Sequence, residues 1–225
     1  MLADGKEKNG GGFKDKVRCI LILALGMLVL FWRVVIPSIT GVTIGIGTLI
    51  MMLDLILTIT VVVLSKKEWK EALARKYTWK TAAKTLLAAV ILFIVQVIVV
   101  QGIILPIFEL EFSAGADAVA AEYLVIFPVG AVFSMVIAAP LWEETVFRMA
   151  GRNLIGNRLL FVVVTSLLFA FIHTVNLSVA DNLLYFAGGL VLSITYLLSE
   201  DILISMGAHF LVNLLSIVLH FSLAD

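Results

Sequence analysis

The feature that most constrains this chain is the recurrence of unbroken apolar runs close to the ~20 residues a helix needs to cross a bilayer. Seven of them fall at roughly 18–36, 42–64, 82–104, 123–140, 159–175, 183–198 and 202–221. Backbone in hydrocarbon must satisfy its own N–H and C=O groups, which only helices and closed barrels do. The runs are continuous and do not alternate, which disfavours a barrel. At 62% hydrophobic residues and 14% charged, a soluble domain would have nowhere to bury this surface. The expected fold is an all-α, polytopic integral membrane helical bundle of about seven helices, or eight if the more polar stretch 105–122 adds one. That stretch is expected to be a loop carrying at most a short interfacial helix. Residues 37–41 (PSITG) are expected to turn the chain between the first two spans. No internal repeat and no soluble domain are visible.

The formal net charge is zero, so only its distribution informs. With the N-terminus inside, the cytoplasmic segments collect the basic residues at 6–18, 66–84 and 148–158, and only Arg33 falls on the other side. The outer loops hold Glu109, Glu111, Asp117, Glu122 and Asp181. Positive charge concentrates on the cytoplasmic face of membrane proteins. The N-terminus is therefore expected in the cytoplasm and the C-terminus outside, in a prokaryotic plasma membrane. Three regions are expected: a polar cytoplasmic tail at 1–17, disordered to about Lys16; N-terminal transmembrane helices at 18–122; and a core at 123–221. No cleavable signal peptide is expected. The segment 66–80 (KKEWKEALARKYTWK) reads as an amphipathic helix lying on anionic headgroups through Trp69, Leu73 and Trp79. Cys19 is the single cysteine, so no internal disulfide forms.

Ionisable groups within spanning segments are costly and mark functional interiors. Here they are Glu143 and Glu144 at the cytoplasmic end of the fourth helix, His173 in the fifth, His209 with Asn213 in the seventh, and Asp54 alone in the second. Residues four apart share a helix face, so Glu144 meets Arg148, Phe169 packs on His173, and His209 and Asn213 present an imidazole and an amide together. Glu143 lies about 100° round the helix from Glu144 and points elsewhere. At 1.5 Å per residue, Glu143 and His209 come out roughly 14 and 12 Å from the cytoplasmic surface, and His173 about 22 Å. The groups are expected to converge in one cytoplasm-facing cavity. Asp54 has no evident partner and is read as a structural hydrogen-bonding residue.

Each group alone has a plainer reading: Glu144–Arg148 as a structural ion pair, a single histidine or Asn213 as a hydrogen bond between helices. Two glutamates, two histidines and an asparagine at compatible depths are hard to explain by packing. A carboxylate helped by a histidine activates water as a general base, while an imidazole and an amide donate to an oxyanion. Alternatively Glu143, His173 and His209 bind zinc with one position open to water. Both arrangements describe peptide-bond hydrolysis inside a membrane.

The motifs read 143-EETVFR-148, 169-FAFIH-173 and 209-HFLVN-213. In this order they resemble the E-E-x-x-x-R, F-x-x-x-H and H-x-x-x-N set of the CAAX protease and bacteriocin-processing (CPBP, Abi/Rce1-like) family of intramembrane endopeptidases. The resemblance covers roughly 123–221. It implies a hydrolase, metalloprotease or glutamate protease, with its cavity open to cytosol and bilayer. Carried over, Glu143 and His173 activate water, His209 and Asn213 stabilise the oxyanion, and Glu144, Arg148 and Phe169 support them. The implied cofactor is zinc or none. The implied partners are a membrane-bound or lipidated peptide or protein, of prenylated CAAX, bacteriocin or pheromone type, and the lipid bilayer, with no nucleic acid. Prenyl-protein members carry eight membrane helices, against seven counted here. The alternatives are a proton- or ion-coupled transporter using the buried carboxylates and histidines, and a non-catalytic immunity or scaffold protein on the same fold.

Overall fold

A computed structural model describes residues 12–111, 116–174 and 178–223, all in helices and short connections, with no strand among them. The first helical run, α1, occupies residues 13–40 and is built from Phe13–Met27, Phe31–Val35 and Ile36–Thr40. It is followed by α2 (Ile44–Leu64), α3 (Lys66–Leu73), α4 (Trp79–Ile107), α5 (Ala116–Ile126) and α6 (Pro128–Leu154). The last three are α7 (Arg158–His173), α8 (Val179–Ser199) and α9 (Ile202–Leu223). In α2, α4, α6, α8 and α9, five helices are long and apolar enough to cross a membrane. Of the seven expected spans, the first falls in α1 and the fifth in the shorter apolar helix α7. Large apolar side chains such as Ile56, Leu86 and Leu167 are more than half exposed on the outside of the bundle, as a lipid-facing surface requires.

The prolines shape three of these helices. A proline inside a helix has no N–H to give, and its ring crowds the carbonyl four residues back. Pro37, Pro106 and Pro140 are each preceded by a widened π-helical stretch, at Phe31–Val35, Ile94–Ile104 and Phe133–Ala138. Such a stretch absorbs the misfit without breaking the helix. The expected turn at 37–41 is thereby corrected, since α1 runs through Pro37 and stops only at Gly41, whose φ is +73°.

Other boundaries also move. The helix begins at Phe13, so residues 13–16 are helical where a disordered tail was expected; residues 1–11 lie outside the described residues. The fourth span does not end at 140 but runs to Leu154, which puts both glutamates inside it. The segment 66–80 is not one headgroup-bound helix. In α3, Trp69 is buried with its Nε1 donating to Thr145 Oγ1 at 3.2 Å, while Leu73, at the end of α3, and Trp79, at the start of α4, are exposed. The connections use side-chain caps: Thr43, Thr78, Asn157 and Ser178 each accept a backbone N–H at the start of α2, α4, α7 and α8.

The closest packing is between α7 and α8. A Cβ at Gly189 would lie 2.9 Å from Ser166 Cα, a distance only glycine permits. Without a hydrophobic drive between helices in lipid, such small-residue contacts let backbones approach. This contact sets where the far end of α7, and hence His173, lies against α8.

Candidate active site

Glu144 and Arg148 meet as the spacing requires, with Arg148 Nη1 3.3 Å from Glu144 Oε1 and both side chains fully buried. Arg148 also donates from Nη2 to Gly189 O at 3.3 Å and lies over the Phe169 ring, 4.7 Å from its centroid. Glu144 has a second partner that the spacing does not show: His209 Nδ1 sits 3.2 Å from the same Oε1. The carboxylate thus joins α6 to α9 as well as closing its own turn.

Glu143, on the next position, points into a different space. Its Oε1 faces His173 Nε2 at 3.8 Å and its Oε2 faces His209 Nε2 at 3.7 Å. These separations exceed a direct hydrogen bond. His173 Nδ1 is 2.7 Å from Phe169 O. A carbonyl only accepts, so Nδ1 carries the proton and Nε2 presents a lone pair toward Glu143. The ring is held flat between Phe169, at 4.6 Å between centroids, and Tyr185, stacked at 4.2 Å and 18°. His209 faces a carboxylate oxygen from each nitrogen. Asn213, one turn further along α9, donates from Nδ2 to Met135 O at 2.8 Å, tying α9 to the widened part of α6.

Glu143, His173, His209 and Asn213 line one cavity of about 380 Å³, within the size range of small-molecule and peptide sites. Glu143, Phe169, His173, His209 and Asn213 are therefore brought together around one cavity, while Glu144 reaches it through His209 and Asp54 does not line it. The donor types of Glu143, His173 and His209 are those of a zinc site with an open position. Among the described residues, however, no group of three His, Cys, Asp or Glu side chains is arranged to hold a metal ion.

The N-terminal helices α1, α2 and α4 also contribute. Arg33, Gln96 and Gln101 line the cavity, and Arg33 binds Asp54 through Nε at 3.0 Å and Nη2 at 2.8 Å. Trp32 Nε1 donates to the same Asp54 oxygen at 3.0 Å, so Asp54 is not without a partner as the sequence suggested. The signal was present, since a lone acid in one span and a lone base at the end of its neighbour can neutralise each other across a hairpin. Tyr185 and the two glutamines carried no such signal. His220, set aside from the sequence, packs its ring on Phe221 and is exposed.

The cavity's lining residues include Arg33 near the end of α1, Ile50 near the start of α2 and His173 at the end of α7.

Fold and site together define a helical membrane protein with a carboxylate–bis-histidine centre buried in its bundle. Residues 125–215 match the family model for Rce1-like, type II CAAX prenyl endopeptidases. No curated protein and no solved structure matches it.

Proposed function

We propose that the chain is an intramembrane endopeptidase in which Glu143 and His173 activate water, and His209 with Asn213 hold the oxyanion. The observation that carries this is the Glu143 carboxylate lying between two imidazole Nε2 atoms, at 3.8 and 3.7 Å, in a cavity inside the bundle. A water bound between Glu143 and His173 loses a proton to the carboxylate as its oxygen attacks the scissile carbonyl carbon. Nε2 of His173, with its lone pair fixed by the Phe169 bond, orients that water. The developing oxyanion takes a hydrogen bond from His209 Nε2 and one from the Asn213 amide. Collapse of the tetrahedral intermediate breaks the C–N bond, and the proton held by Glu143 passes to the departing amine. Glu144 and Arg148 act as positioning residues, because Glu144 holds His209 through Nδ1. Zinc, if the enzyme uses it, would be held by Glu143, His173 and His209 and would supply a more acidic bound water.

The substrate class is a membrane-bound peptide, lipidated ones included. The cavity is lined both by apolar residues such as Leu92, Leu184 and Val212 and by polar ones such as Gln96 and Asn213, which suits a peptide backbone with an apolar appendage. Asp54, which a transport path would use, is engaged by Arg33 and Trp32.

The test compares peptide termini by mass spectrometry in matched cells expressing the wild type or Glu143→Gln. The expected result is a set of termini reduced about 10²–10⁴-fold in rate of formation, the range for losing a general base. Unchanged termini with both proteins present at equal level would refute the reading. Loss of cleavage on chelation, restored by zinc, distinguishes the metal-dependent form.

A further inference from the structure

We propose that Gln96 and Gln101 of α4 form a substrate subsite, in which the two side-chain carboxamides hydrogen-bond the backbone of the extended peptide segment that presents its scissile bond to Glu143. This deepens the endopeptidase reading and rests on it.

The need for such a subsite follows from the backbone of the substrate. A helix bonds its own N–H and C=O groups, whereas a segment opened for attack does not. Each of its backbone groups then needs a partner once it leaves water. A carboxamide offers both halves of that partnership, N–H donors and a carbonyl acceptor. Two of them stand in the otherwise apolar stretch 94–104 (IVQVIVVQGII) of α4, and both line the cavity that holds Glu143, His173 and His209.

The winding of α4 is what puts both on the cavity. In an α-helix, at about 100° per residue, positions five apart differ by about 140° and face different neighbours. Ile94–Ile104 is π-helical, bonded from i to i+5, and that wider winding brings positions five apart close to one line. Val97, between the two glutamines, lines the cavity as well. Gln96 is partly buried while Val97 and Gln101 are exposed, so this wall runs from the surface inward.

The inner carboxamide is also placed close to the reacting groups. A Cβ at Gly188 of α8 would lie 2.6 Å from Gln96 Nε2, so the amide occupies space that only the glycine leaves open. Gly188 is three residues from Tyr185 on the same face of α8, and the Tyr185 ring stacks on His173. A glutamine in a spanning helix ordinarily bonds across to a neighbouring helix. Among the described residues neither Gln96 nor Gln101 has such a partner, which leaves both amides to a ligand. In addition, α4 precedes the segment 125–215 that matches the family model and that carries Glu143, His173 and His209. The pair therefore governs how tightly a peptide is held, separately from the groups that act on its bond.

The test measures binding to the full chain in detergent micelles, in a Glu143→Gln background, with a fluorescent prenylated peptide of CAAX type as the probe. Gln96→Met and Gln101→Met keep the length of the side chain and remove the carboxamide. Each is expected to raise Kd about 2–12-fold, the worth of one hydrogen bond. A set of peptide analogues, each with one backbone amide replaced by an ester, deletes a single N–H at a time. At least one ester should weaken binding to the parent chain by a similar factor and have no further effect on Gln96→Met or Gln101→Met. An unchanged Kd in both methionine variants, additive losses for every ester, or no saturable binding of the peptide would each overturn the proposal. Binding needs no turnover, so this result and the Glu143→Gln cleavage result can fail separately.

Discussion

Replacing Arg148 by methionine removes the one cation that Glu144 touches in a site with no solvent. At the observed 3.3 Å, and with the effective dielectric of ~20 that suits buried groups, the pair interaction is about 5 kcal/mol. Breaking a buried pair by deleting one partner costs about 3–5 kcal/mol, since the remaining charge is left buried. For a chain of this size each kcal/mol moves the unfolding midpoint by about 2–4 °C, so the expected fall is roughly 6–20 °C. Glu144→Gln should cost a similar amount, because it leaves the guanidinium unpaired. The double variant Arg148→Met/Glu144→Gln has no stranded charge, and the glutamine Oε1 still accepts from His209 Nδ1. It should recover at least half of the loss. The assay is thermal unfolding in detergent micelles, followed by the fluorescence of the tryptophans, including the fully buried Trp142 beside Phe147. Additive losses in the double variant would refute the reasoning, since they would mean that the two side chains do not interact energetically.

Two further outcomes follow from the same geometry. Asp54→Asn should lower the unfolding midpoint by roughly 6–12 °C, about 3 kcal/mol, because it leaves the Arg33 guanidinium without its anion; an unchanged midpoint would mean that Arg33 finds another partner. Gly189→Ala places a methyl group 2.9 Å from Ser166 Cα and should cost about 1–3 kcal/mol as α7 and α8 move apart. Cleavage should fall with it, measured by the same peptide-terminus comparison, since α7 carries His173.

Much of this protein is legible from local pattern. Helix positions follow from apolar runs, because each lipid-facing backbone must bond within its own segment. The Glu144–Arg148 pair, the Phe169–His173 contact and the shared face of His209 and Asn213 follow from the four-residue offset of a single helix. Those features depend only on residues a turn apart, and the order of the three motifs was enough to indicate the family. The boundaries were less legible where prolines lie inside helices. Pro37 reads as a turn, yet the widened stretch before it lets α1 continue, and that accommodation depends on what packs around the helix.

The rest was decided by how helices far apart in sequence lean on one another. Glu143 meets His173 and His209 across 30 and 66 residues of chain, and no periodicity specifies the crossing that brings Nε2 atoms to 3.7 and 3.8 Å. The Arg33–Asp54 pair is likewise a contact between two helices, and it makes the N-terminal helices part of the cavity wall. Depth counted from helix ends put the site on the cytoplasmic side. In the folded bundle the carboxylate and both imidazoles line one cavity, whose wall also includes residues of the N-terminal helices. Sequence determines which groups share a turn. Only tertiary packing determines which of them share a cavity, because that depends on where small residues such as Gly189 let two helices touch.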